Sequence, residues 1–376
     1  MALPLVHSHD ASHGSESTRD VVLIEWTGVE GDRGWGECAT LTGSGYVTET
    51  TDEAWHSLVH SIGPRALGKP SPGAIETSPS APAAAAAMSD ARLDAYLRGQ
   101  GVSLVAHLGG THGSLQRCAV IAAVGGTPER IAERAVDQAR SGASMVKVKI
   151  APGHDREVLA AVIEAVHPLP VAADANGAYE TGAQIRWIDE LSLAYIEQPF
   201  APALTPAQLG EEAAALRTPV ALDESVTSLA ALQDLARARA GAIVSIKSLR
   251  LGGIEAAVTV GRAAMDMGLS VFVGGMLETG IGRAGGLAVA SALSTSPTES
   301  ASEPMSDQAA ASASVLNPSL PTDLGPSSNY FAVDVCEPIE CDDEGGIAAP
   351  RGVGIGRTPT TELLERFTVS EVLLRR

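Results

Sequence analysis

The chain reads as an α/β protein, a (β/α)7-8 barrel of the TIM type carrying an α+β capping domain, and three observations predict it. Short apolar runs close on a charged residue at a near-constant interval. Lys149, Asp174, Glu197, Asp223 and Lys247 follow one another at steps of 25, 23, 26 and 24 residues. A strand of about 5 residues, a helix of about 11 and two short loops sum to that period. The stretches between the runs carry helical periodicity, as in 155–167, where Val158, Leu159, Val162, Ile163 and Val166 form one stripe. Strand-then-helix repeats imply parallel strands joined by right-handed crossovers. The charged residues then fall at the C-terminal strand ends, the face on which such a barrel builds its site.

Taken in order, residues 1–110 form the α+β cap, with a hairpin of 21–26 and 34–37 and a helix over 83–101. Residues 111–325 form the barrel. Its first strand lies at 119–124, and Thr127-Pro128 opens the next helix with a capping hydroxyl and a proline in the first turn, closed by Gly142. Helices are also expected over 225–240 and 252–268. The run 270–273 makes the seventh strand, and an eighth is placed near 316–320. Two stretches, 69–82 and 291–314, are rich in Ser, Ala, Pro and Thr without apolar periodicity and are expected to be mobile insertions, the second disordered. Residues 326–376 carry strand-like and turn-like pieces, 331–335 and 352–356, expected to return to the cap.

Composition narrows the function classes. A net charge of −19 argues against nucleic acid or an anionic membrane as partner. The four cysteines, Cys38, Cys118, Cys336 and Cys341, show neither CxxC nor Cys-His metal spacing and read as free thiols in a reducing compartment. There is no run of 18 apolar residues and no basic segment leading an apolar core at the N-terminus, so a cytoplasmic enzyme is expected. A homo-oligomer is compatible with all of this.

The chemistry is carried by the choice of lysine. Of 26 basic residues only four are lysine, and three of these are Lys147, Lys149 and Lys247. A guanidinium stays protonated, whereas burial and neighbouring charge can bring an ammonium into the range where it gives and takes a proton. Strand alternation puts Lys147 and Lys149 on one face, toward the barrel mouth, and Val146 and Val148 on the other. Asp174 and Asn176 share a face by the same rule. Between the lysines, Asp174, Glu197 and Asp223 are metal-ligand candidates. The bland alternatives are a solvent-exposed lysine at a strand end and, for Asp223, a plain helix cap.

Taken together, Lys147-Val-Lys149, Asp174-Ala-Asn176, Glu197-Gln-Pro199, Asp223-Glu224-Ser225, Lys247 and the loop Gly274-Gly-Met-Leu-Glu-Thr-Gly-Ile-Gly282 resemble the enolase superfamily. Within it they resemble the muconate-lactonizing subgroup, in its o-succinylbenzoate synthase / N-succinylamino acid racemase branch. Gly34-Trp-Gly-Glu-Cys38 and Leu324-Gly-Pro-Ser-Ser-Asn-Tyr330 add to the likeness. The resemblance implies one Mg2+, with Mn2+ able to substitute, on Asp174, Glu197 and Asp223, joined by the carboxylate of a small-molecule substrate. It implies Lys149 as base, Lys147 keeping Lys149 neutral by like-charge repulsion, and Lys247 as second acid/base or fixed cation. Asn176 and Glu224 are expected to support the ligands, and Gly274, Gly275 and Met276 to lie near the substrate. The stretch holding His7, His9 and His13 corresponds in the family to a loop closing over the substrate. The activity implied is dehydration of 2-succinyl-6-hydroxy-2,4-cyclohexadiene-1-carboxylate through an enediolate, in menaquinone biosynthesis. N-succinylamino acid racemisation on the same site is the alternative. A non-catalytic scaffold with an incomplete cap, suggested by a chain that opens where relatives have one more strand, is the reading from another class.

Overall fold

The computed structural model describes residues 1–11, 14–43, 48–67, 69, 80–122, 126–153, 155–294 and 319–375. The side chains of 7–16, and with them His7, His9 and His13, lie outside the described residues, as do 70–79 and 295–318. The expectations for the closing loop and for most of both insertions therefore fall there.

Seven parallel strands follow one another round the barrel in chain order: β5 (Cys118–Ala122), β6 (Met145–Lys149), β7 (Val171–Asp174), β8 (Ile196–Glu197), β9 (Val220–Leu222), β10 (Ile243–Ile246) and β11 (Ser270–Val273). Residues 319–323 close the ring as its eighth member. Ser319 bridges Val271 and Thr322 bridges Arg117, both in parallel. The amides of Leu320 and Asp323 bond the carbonyls of Val271 and Val273, and Cys118 donates to Thr322 O. The closing segment thus lies about three residues beyond the expected 316–320 and is held by isolated bridges.

Alternation explains the packing. Cys118, Met145, Ala172, Ala221, Ile243 and Phe272 from six of the strands, and Tyr195 just before β8, fill the interior with Leu320 against them. Tyr195 stacks on Phe272 at 5.5 Å between ring centres, and the alanines at 172 and 221 leave room for them. Val146, Val148, Val244, Ile246, Val271 and Val273 face outward into the larger core shared with the helices. Those helices are α5 (Pro128–Arg140), α6 (Asp155–Val166), α7 (Gly182–Ile185), α8 (Pro206–Ala213), α9 (Leu229–Arg237), α10 (Ser248–Leu251), α11 (Ile254–Asp266) and α12 (Gly280–Ser294). Thr127, Thr205 and Ser228 cap α5, α8 and α9 through their hydroxyls. Gly142, at φ +81°, turns the chain after α5.

Before the barrel come two antiparallel ladders, β1 (Ala2–Ala11) with β2 (Gly14–Asp20) and β3 (Val22–Thr27) with β4 (Arg33–Cys38), and helices α1 (Thr51–Ser57), α2 (Gly63–Ala66), α3 (Pro82–Gln100) and α4 (Leu104–Leu108). The β3–β4 hairpin lies flush on α3 because both surfaces are bare. A Cβ at Gly34 would stand 2.0 Å from Ala95 N, and one at Gly36 would stand 2.1 Å from Ala87 O. The C-terminal segment runs back over this region. Val6 donates to Tyr330 O, Ala332 to Pro4 O, and Ile355 N to Asp94 Oδ1 at 2.7 Å. A last helix, α13 (Thr361–Phe367), ends it. All four cysteines are free. Among the described residues no helix is long and apolar enough to cross a membrane.

Candidate active site

Strand register brings the charged strand ends together. Lys149 on β6 pairs with Asp174 on β7, and Asp174 with Glu197 on β8. Asp223 follows β9 directly, and Lys247 follows β10 as the residue that starts α10. β6 and β10 stand four places apart in a ring of eight, so Lys149 and Lys247 rise from opposite walls with the three acids on the strands between.

Each acid is turned onto a cation. Lys149 Nζ donates to Asp174 Oδ2 at 2.9 Å and to Asn176 Oδ1 at 2.8 Å. Lys247 Nζ donates to Asp223 Oδ2 at 2.9 Å, and Arg250 holds the other oxygen of Asp223. Lys147, buried inside the barrel, is bonded to both Glu197 and Asp323 and lies 5.0 Å from the Phe272 ring centre. Its charge is therefore compensated on both sides. The resemblance implies that Lys147 keeps Lys149 neutral by like-charge repulsion; in this arrangement Lys147 also has Asp323, from the closing segment, as an acidic partner. Burial alone would lower the Lys147 pKa, yet Asp323 and Glu197 hold it well above the ordinary lysine range.

The acids feel one another. Burial pushes Glu197 well above the usual carboxylate range; Lys147 opposes this, while Asp174, Asp223 and Asp323 add to it. Burial would also raise Asp174, but Lys149 and Lys147 keep it below its ordinary value. Glu224 is pushed up to about 7 by burial and by repulsion from Asp223 and Asp174. One oxygen each of Glu224 and Asp323 is buried without a hydrogen-bond partner. Among the described residues no three His, Cys, Asp or Glu side chains already surround a common point. The donor set nevertheless fits a hard divalent cation. It is all carboxylate, it stands on adjacent strand ends, and the repulsion among its members is what such an ion relieves.

Supporting residues fix the acids. Asn176, at φ +43°, donates its backbone N–H to Asp174 Oδ1 and its side-chain amide to Glu224 Oε1 at 3.0 Å. Gln198, fully buried at φ +35°, accepts from the amides of Asp223 and Ser225 and donates to Ser225 Oγ and Phe200 O. Gly274 lies on Lys247, since a Cβ there would come 2.5 Å from Lys247 Cε and from Ser245 Oγ. Gly275 borders Leu324 and Arg283. Met276 packs into the apolar cluster of the cap, and its carbonyl accepts from Arg283.

Asp323, Arg250 and Gln198 were not singled out as functional in the sequence. Asp323 closes a strand as the other acids do, but that strand is short and follows a Ser-rich stretch. Arg250 stands one helical turn after Lys247, which is the signal that could have drawn attention to it.

The Enolase C-terminal domain-like family model matches residues 130–363. An N-succinylamino acid racemase of an Amycolatopsis species is 32% identical, over 98% of this chain and 96% of the relative. An o-succinylbenzoate synthase of Geobacillus kaustophilus is 30% identical over 97% and 93%. The crystal structure of an enolase-superfamily member from Listeria innocua superposes with a TM-score of 0.84 at 25% identity, covering 98% of this chain and 95% of that one. With a barrel whose strand ends carry these lysines and acids, and with these relatives, the chain is an enzyme that belongs to the enolase superfamily.

Proposed function

We propose that this protein removes the proton alpha to a substrate carboxylate, and that its reaction is the dehydration of 2-succinyl-6-hydroxy-2,4-cyclohexadiene-1-carboxylate to o-succinylbenzoate in menaquinone biosynthesis. The observation that carries the proton-abstraction reading is the placement of Lys149 and Lys247 on opposite walls, with Asp174, Glu197 and Asp223 between them. Asp174, Glu197 and Asp223 would hold Mg2+, which when bound neutralises the second negative charge that proton removal places on the substrate carboxylate. Lys149 takes the alpha proton once its ammonium has released one. As the conjugate acid it then returns that proton to the departing hydroxyl on the same face, so the net change is loss of water. Lys247 stands on the other face as a positive charge anchored by Asp223.

The relatives named o-succinylbenzoate synthase support dehydration. A second reading, racemisation of N-succinylamino acids, is favoured by the lysine on the opposite face and by the name of the Amycolatopsis relative. It needs Lys247 to deliver and accept a proton. Assaying the purified protein with both substrates in Mg2+ separates the two. Dehydration is expected to be much the faster, and racemisation without detectable dehydration would refute that choice.

A further inference from the structure

The N-terminus of α12 is capped largely from outside its own stretch of chain. The first N–H groups of a helix have no partner within it. Here Glu37, on β4, accepts from Thr279 N at 2.9 Å, from Thr279 Oγ1 at 2.6 Å and from Gly282 N at 2.8 Å. Asp334, in the C-terminal segment, accepts from Gly280 N. Alternation along β4 makes this reach possible: Gly34 and Gly36 lie against α3, so Trp35 and Glu37 point the other way.

The loop between β11 and α12 runs over 274–279, and Gly274 at its start rests on the stem of Lys247. Glu37, Lys247, Gly274 and Gly282 all line one cavity of about 40 Å³ between the hairpin and the barrel. Both ends of the loop are therefore fixed, one to β10 through Gly274 N and Ile246 O, the other to the cap through Glu37. The α3 backbone against Gly34 and Gly36 leaves the hairpin little room to yield.

We infer that Glu37 is a positioning residue, which through Thr279 and Gly282 holds the 274–279 loop down on Lys247 and so sets where that ammonium stands. This rests on the reading of Lys247 as the group facing the second side of the substrate. Seating of the cap and placement of Lys247 are then one event, whereas Lys149 on the far wall is outside its reach.

Amide hydrogen exchange on the purified full chain tests the first link. In Glu37→Gln, peptides over 274–282 should exchange at least about threefold faster and peptides over 145–149 should not change. Unchanged exchange at 274–282 overturns the proposal. Alpha-proton exchange in D2O on each enantiomer of an N-succinylamino acid tests the second link. The enantiomer served by Lys247 should slow about tenfold, a barrier change of ~1.4 kcal/mol, while the one served by Lys149 stays near wild type. Equal loss for both enantiomers marks general destabilisation and also overturns it. Lys247→Ala is the check on the underlying reading, since it must abolish exchange of one enantiomer only. If Lys247→Ala is selective and Glu37→Gln is not, the proposal alone fails. If Lys247→Ala is not selective, the reading of the site fails. Where the wild type exchanges neither enantiomer, dehydration serves, with kcat about tenfold lower and KM within about twofold in Glu37→Gln; an unchanged kcat overturns the proposal. Thr279→Val removes the hydroxyl that donates to Glu37, along with its long contact from Ile281 N, and should shift each readout the same way, which keeps the test open should Glu37→Gln fold poorly.

Discussion

The two walls of the site differ in how they treat their lysine. On the β6–β7 wall the Lys149 side chain is 35% exposed, and its ammonium bonds Asp174 and Asn176 at the barrel rim. On the β10–β11 wall Lys247 is 5% exposed, under Gly274 and beside the cap hairpin. An exposed amine can exchange protons with solvent and suits a base that must turn over. An enclosed one, bonded to Asp223 and packed under Gly274, is held in one place and suits a fixed cation. The asymmetry therefore speaks for chemistry centred on Lys149, and each prediction below strains it.

The largest effect should come from what both walls share. Removing divalent metal with a chelator should abolish turnover and adding Mg2+ should restore it; full activity in excess chelator would end the metal assignment. Next is Lys149→Arg, which keeps the charge beside Asp174 but cannot serve as base near neutral pH. Turnover should fall by at least about 1,000-fold, ~4 kcal/mol of barrier. Retention within about tenfold in steady-state assays shows that another group is the base. Lys247→Arg should split the two reactions: dehydration survives at a reduced rate on a fixed cation, and racemisation is lost. Loss of both would make the walls equivalent.

Smaller effects sharpen the same contrast. Gly274→Ala inserts a methyl where Lys247 Cε and Ser245 Oγ stand, and the mobile end of a lysine can give way. Unfolding stability should change by less than about 1.5 kcal/mol while kcat falls about tenfold. A large stability loss with kcat unaltered would show that the loop does not set Lys247. The smallest effect concerns the cap above this wall. Asp90 accepts from Ile254 N at the start of α11, and burial, with some help from Glu255, pushes its pKa up to about 7 from an ordinary 3.8. Between those values the folded protein keeps a proton that the unfolded chain has released, so stability falls as pH rises through the window. From pH 5 to pH 8 the wild type should lose more stability than Asp90→Asn, by on the order of 1 kcal/mol in parallel denaturation curves. Equal losses would mean that Asp90 is solvated.

The outcome separates what each level of information could decide. Intervals of 23 to 26 residues between charged strand ends contain the barrel, because each unit is a local strand and helix whose period is fixed by element lengths. The hairpin and α3 were equally legible, as alternation and helical periodicity are properties of neighbouring residues. Lys149 beside Asp174 followed once parallel order was granted, for adjacent strands put successive strand ends side by side. What sequence did not contain was contact between parts far apart in the chain. Asp323 reaches Lys147 across 176 residues through an eighth strand only a few residues long, too short to show a pattern. That contact gives Lys147 a second acidic partner beside Glu197. Glu37 reaches Thr279 across 242 residues, and neither residue carries a local sign of the other. Periodicity reports which face of an element is buried. Only the tertiary structure decides what it is buried against, since that depends on how the ring closes and where the cap comes to rest.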